Sequence, residues 1–257
     1  KGFRPSALPI FLEGPVREMK IAEARGAREL AQAVRESALF DQKLGMYKIN
    51  VSLEDQPYEI GRLRAFTPGW LENESIWMHM SYKYLLALIN AGLYEEFFTA
   101  LKTHLPAFMD PQVYGRSPLE SCSFIVSSAH PDASLHGAGF VARMSGLTAE
   151  FISMWRLMTM GKQPFQLIEG ELALTFAPVL PGWLFTVDGI FRFRCLGTCT
   201  VTVHNPDRKD TWDEGLKIKR VELHSGDETI RIDGGVIQTP YAEGVRQGEF
   251  DAIDLFF

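Results

Sequence analysis

The densest run of residues able to do chemistry is Thr67-Pro68-Gly69-Trp70-Leu71-Glu72-Asn73-Glu74-Ser75-Ile76-Trp77-Met78-His79. Tryptophans, carboxylates, an amide and an imidazole gather where a loop runs into an apolar helical pattern. Aromatic faces can lie against the C–H faces of a sugar ring, and carboxylates or amides can meet its hydroxyls. The same residues also fit ordinary helix initiation, with Asn73 as N-cap, Glu74 favoured in the first turn and Trp77 in the core. On residue types alone both readings stand.

Other candidates lie further along. His79 sits beside the Trp77/Met80 stripe, where a histidine serves as a ligand or as a hydrogen-bonded core residue. His136 precedes Gly137 and Gly139, and His130-Pro131-Asp132 reads as a turn. None has HExxH spacing, so a metalloprotease is unsupported. Ser145-Gly146-Leu147-Thr148 places small residues inside a greasy helical pattern, where glycine costs about 1 kcal/mol relative to Ala. Such a pair suggests close backbone approach, to another helix or to a ligand; exposed N–H groups beside a hydroxyl would suit a phosphate. Glu120-Ser121-Cys122-Ser123 and Ser127 to Asp132 form polar loops without a GxSxG elbow, and GxGxxG and Walker loops are missing.

The elements that must position these residues fall into two halves. From about 16 to 160 the spacing is helical. Helices are expected over Ala22–Phe40, Glu74–Ala91, Leu93–Leu105 and Ala138–Met160, the second and third forming an αα-hairpin across Gly92. The last is apolar nearly all round, which asks for neighbours on several sides. After Gly161-Lys162-Gln163-Pro164 the pattern alternates. Strands are expected at 171–176, 189–195, 198–204, 218–224 and 228–232, with turns at Asp188-Gly189 and Gly226-Asp227. The expected class is α+β: helical hairpins of a toroid or bundle over residues 1–165, then an antiparallel β-sandwich or jelly-roll lobe over 166–257.

With 46% hydrophobic and 23% charged residues, the 257-residue chain can bury a sizeable core and is not disordered. A net charge of −6 argues against nucleic acid as a partner but leaves room for a local phosphate pocket. The three cysteines, Cys122, Cys195 and Cys199, make no disulfide framework and fit a reducing, cytoplasmic setting. Cys195 and Cys199 lack a second ligand pair for zinc, so neither metal nor cofactor is expected. No apolar run reaches the roughly 20 residues of a membrane span, and the stretch from Lys1 reads as mid-chain sequence.

Four segments, in order, resemble the C-terminal portion of the glycoside hydrolase family 94 type phosphorylases, the cellobiose and chitobiose phosphorylase group and its larger oligoglucan-phosphorylase relatives. Glu72-Asn73-Glu74-Ser75-Ile76-Trp77-Met78-His79 is similar to that group's Glu-Asn-Gly-Gly-Ile-Phe-Cys-His. Glu120 and its neighbours resemble the following Glu-containing loop. Ser145-Gly146-Leu147-Thr148-Ala149 resembles a Thr-Gly-Thr-Ala segment, and Phe176 to Trp183 resembles the P-x-x-P-x-x-W opening of the C-terminal β-domain.

The resemblance implies an (α/α)6 toroid and inverting phosphorolysis of β-glucosides or oligoglucans, with inorganic phosphate as co-substrate. It implies that His79, Ser145 and Gly146 contact phosphate, that Glu120 holds sugar hydroxyls, and that Trp70, Glu72 and Asn73 shape the pocket. The family's general acid is an Asp in an upstream segment with no counterpart here, so an N-terminal toroid portion, or a second copy, is an expected partner. Two other readings compete: a toroid glycoside hydrolase using two carboxylates from Glu72, Glu74, Asp110 and Glu120, and a non-catalytic carbohydrate-binding fragment.

Overall fold

A computed structural model describes residues 7–142 and 146–257. The fold is mixed α+β, with mostly antiparallel small sheets; among the described residues no toroid or barrel closes. The chain divides into two compact units, Lys1–Met154 and Trp155–Phe257.

In the first unit α1 (Glu13–Met19) buries Val16 and Met19. Next comes α2 (Ala24–Glu36), rich in strong helix formers; it buries Ala27, Ala31 and Val34, spaced four and three apart as one helical stripe requires. A hairpin of β1 (Phe40–Asp41) and β2 (Met46–Tyr47) follows, its turn held by the Asp41 carboxylate, which accepts from the Lys43 and Leu44 amides at 3.1 Å each.

The short strand β3 (Ile76–Trp77) then leads straight into α3 (Met78–Asn90), and α4 (Tyr94–His104) packs back on it. Gly92, with φ +77°, turns the chain between them, and the Leu93 amide donates to Leu88 O at 3.0 Å. The expected αα-hairpin is therefore present. Beyond it, α5 (Pro111–Tyr114) is capped by Asp110, and β4 (Cys122–Ile125) and β5 (Gly139–Ala142) complete an antiparallel sheet ordered β3-β4-β5.

Two helix starts differ from expectation. Asn73 caps nothing: its buried amide donates to Phe66 O at 2.8 Å, Glu74 has φ +57°, and the helix begins after Trp77. The fourth expected helix, α6, runs over Gly146–Met160 rather than from residue 138. Residues 139–142 pair with β4 instead, Phe140 opposite Phe124. Ladder hydrogen bonds and ring packing against Phe124 outweigh the local helical pattern there.

The second unit is mainly strand. β6 (Phe165–Ile168), β7 (Glu171–Thr175) and β12 (Val236–Gln238) make an antiparallel sheet ordered β12-β7-β6. A five-stranded sheet is ordered β11-β10-β13-β9-β8, from β8 (Ile190–Cys195), β9 (Cys199–His204), β10 (Arg220–Ser225), β11 (Glu228–Asp233) and β13 (Ala252–Phe256). Only the β13–β9 pairing is parallel in it. Alternation sends Val201, Val203, Val221, Leu223, Ile253 and Leu255 inward as the core. The helix α7 (Tyr241–Gln247) packs on β7. All five expected strands are found; Gly226-Asp227 forms the β10–β11 turn, while Asp188-Gly189 leads into β8 rather than joining two paired strands.

Candidate functional site

The site is built where α3 and α6 begin. His79 is the second residue of α3, and Gly146 is the first of α6. The imidazole lies so close to the Gly146 backbone that an added Cβ would sit 2.5 Å from Nδ1 and 2.7 Å from Nε2. Only glycine leaves room for the ring. The small residue inside the apolar pattern thus marks a close approach, and the approaching group is His79. Glu150, one turn into α6, places Oε1 3.6 Å from His79 Nε2. The imidazole side chain is 40% exposed and the carboxylate 21%, so the contact is partly open to solvent. First-turn amides have no acceptor within their own helix and carry the positive end of its dipole. The imidazole carried by α3 and the start of α6 therefore share one small region.

Ser145, the hydroxyl expected beside Gly146, lies outside the described residues.

The loop 69–75 approaches from β3. Gly69 (φ +78°) lies against the His130 backbone, where a Cβ would come 2.6 Å from the His130 nitrogen. Trp70 is half-buried among Phe140, Phe124 and His130, with ring centroids at 4.6, 5.1 and 5.9 Å. Glu72 is gripped by Arg62 through two hydrogen bonds of 2.7 and 3.0 Å, a fork that fixes its carboxylate. The Asn73 side chain is buried, and its Oδ1 has no hydrogen-bond partner. Glu74 is buried against Lys48 Nζ at 2.8 Å, its amide donating to Asn50 Oδ1 at 2.6 Å. Leu71 and Glu74 both hold positive φ, and the Ser75 hydroxyl closes back onto Leu71 O. This segment is a tied loop, not the helix cap that its sequence also allowed.

Glu120 stands just before β4. Its carboxylate accepts from Arg116 Nη2 at 2.8 Å, and its carbonyl accepts from the Tyr114 hydroxyl at 2.8 Å. Burial pushes the Tyr114 phenol well above its ordinary range, with Cys122 adding to the shift, so the hydroxyl remains a donor. Gly139 makes room for that ring: a Cβ there would lie 2.9 Å from Tyr114 Cδ2. Arg116 Nε and Ser123 Oγ are further buried polar atoms without partners.

Of the expected residues, His79 and Gly146 are brought into contact, while Trp70, Glu72 and Asn73 share one loop. Glu120 is held by its own arginine. Sequence reasoning missed Glu150, Lys48, Arg62 and Arg116. Glu150 was legible in principle, since it follows Gly146 by one helical turn; the three cations reach their carboxylates through loop geometry. Among the described residues no cluster of His, Cys, Asp or Glu could hold a metal ion, and no helix is long and apolar enough to cross a membrane. Cys195 and Cys199 face each other across β8–β9, both buried, and burial pushes their thiols up to about 11.

No protein-family model matches the chain. A comparison with curated proteins finds no significant match either.

Proposed function

We propose that this chain supplies the phosphate side and part of the sugar pocket of an inverting glycoside phosphorylase acting on β-glucosides or oligoglucans. The observation that carries the reading is the seating of His79 on Gly146 where α3 and α6 begin. An imidazole beside first-turn amides is a cradle for an anionic nucleophile, with the Glu150 carboxylate 3.6 Å from Nε2 orienting the ring. Ser145 would add a hydroxyl to it. Phosphate held there would attack the anomeric carbon while a carboxylic acid, contributed from outside this chain, protonates the departing glycosidic oxygen. The C–O bond to the leaving sugar breaks as the new C–O bond to phosphate forms, giving a sugar 1-phosphate. Phosphate already carries charge, so no second carboxylate is required to activate it. The gain from His79 is alignment of the nucleophile.

Trp70 would offer a ring face to sugar, Asn73 Oδ1 an unfilled acceptor for a hydroxyl, and Glu120 and Glu72 carboxylates held in place by Arg116 and Arg62. In this reading the helices of the first unit belong to an (α/α)6 toroid completed by an N-terminal portion or arranged in a homodimer, and the strands of the second form the sandwich lobe. The three unpaired cysteines support a reducing, cytoplasmic setting.

The two-carboxylate hydrolase is less well supported. Glu72, Glu74 and Glu120 are each ion-paired, and Asp110 caps α5 by accepting from the Gln112 amide at 2.9 Å. Each of these carboxylates is thus already engaged by a partner within the chain. The test is phosphorolysis by a protein that carries this chain together with the acid-bearing portion. His79→Ala should raise the phosphate concentration needed for half-maximal rate at least tenfold, with sugar saturation little changed. Unchanged phosphate dependence would refute the assignment.

A further inference from the structure

A groove between α2 and α4, about 420 Å³ in volume, carries polar groups that the phosphorylase reading leaves unused. Its α2 wall presents Arg28, Gln32 and Arg35, one stripe of two helical turns, and its α4 wall presents Glu96 and Thr99. Ala31 and Ala100 line it where larger side chains would fill it. Tyr47 and Tyr84 form its aromatic lining, their ring centroids 4.6 Å apart in an edge-to-face pair.

The charges in this groove are balanced, Arg28 and Arg35 against Glu95 and Glu96. Arg28 Nη1 lies 3.2 Å from Glu96 Oε1, and the Arg35 guanidinium sits 3.7 Å over the Phe40 ring. A phosphate would meet Glu96, and a simple cation would meet two arginines. Burial raises both phenols above their ordinary range, so both stay protonated and able to donate. The Tyr84 side chain is fully buried and its hydroxyl turns toward that of Tyr47, so the pair makes a rigid floor for the groove. Donors on one wall, acceptors on the other, hydroxyls and ring surface beneath ask for a neutral ligand whose groups both donate and accept. The volume lies in the range of small-ligand clefts, about 300–1,000 Å³.

We propose that this groove binds a hexopyranose, as a sugar site sharing no lining residue with the His79 cluster. The groove's own walls carry this inference, independently of phosphate binding at α3 and α6.

The test is titration of the isotope-labelled chain with D-glucose, followed by amide chemical shifts. Shifts should concentrate in 27–35 and 95–100, saturating with a dissociation constant on the order of 1–10 mM, as expected for so few ligand atoms. Thr99→Trp, at an exposed position, should block the groove and abolish the shifts while circular dichroism stays unchanged. Absence of shifts in these two segments, or the same shifts in a folded T99W chain, would overturn the proposal. So would inorganic phosphate producing them in place of glucose.

Discussion

Replacing Gly146 by Ala separates a packed imidazole from a coincidental one. The new Cβ would sit 2.5 Å from His79 Nδ1 and 2.7 Å from Nε2, where ordinary contact begins near 3.4 Å. The ring must therefore retreat by roughly 1 Å or rotate away. Overpacking costs about 1–3 kcal/mol, but His79 is 40% exposed and can turn toward solvent, which puts the cost at the lower end. Alanine in a helix returns up to about 1 kcal/mol. Net stability of the single variant should thus change by no more than about 1 kcal/mol. In a His79→Ala background the obstruction is gone, and Gly146→Ala should become neutral or stabilising. Urea denaturation of the four chains should give a coupling energy of about 1–2 kcal/mol. Phosphate affinity, read by calorimetry, should fall roughly 10- to 100-fold in Gly146→Ala alone, the worth of one charge-assisted hydrogen bond of about 1.5–3 kcal/mol. Additivity within about 0.5 kcal/mol would refute the packing argument. Full phosphate affinity in a folded G146A chain would refute the site.

Further consequences follow from buried groups. His104 is fully buried, its Nε2 accepting from the Tyr47 amide at 3.1 Å, and desolvation lowers its pKa to about 4. The folded chain keeps it neutral while the unfolded chain takes up a proton below about 6.5, so stability falls as pH drops from about 6.5 to about 4, by about 3 kcal/mol in all. His104→Gln should remove about one proton from that slope; an unaltered slope in unfolding experiments would reject the assignment. Lys48→Met strands the buried Glu74 carboxylate and should cost about 3 kcal/mol, much of it recovered in Lys48→Met/Glu74→Met; equal stability of the single and double variants would contradict this. Gly139→Ala drives a Cβ into Tyr114 and Cys122 Sγ and should cost about 1–3 kcal/mol, visible as a lowered melting temperature. An unchanged melting temperature would show that the Tyr114 ring yields freely.

The strands of the second unit were legible because their signal is local: alternating Val, Phe and Leu bounded by Gly and Asp. β13 escaped because its alternation, Ile253 and Leu255 against Asp254 and Phe256, sits in a run too short to stand out, and its parallel partner β9 lies about fifty residues away. Gly139 to Ala142 was misread for the opposite reason, since Phe140 and Val141 fit a helical stripe until β4 offers them a ladder. At the site, Gly146 carried its meaning in the sequence as a small residue out of place, and the structure gives it a partner. The ties on Glu72, Glu74 and Glu120 come from Arg62, Lys48 and Arg116, whose approach depends on loop paths that residue spacing does not encode.

The most direct test is to add inorganic phosphate to the isotope-labelled chain and watch the His79 ring resonances together with the amides of residues 146–149. Both sets should move together along one saturation curve, and both should stop responding in His79→Ala. Resonances that stay still, or a response unaffected by losing the imidazole, would show that α3 and α6 meet for packing alone.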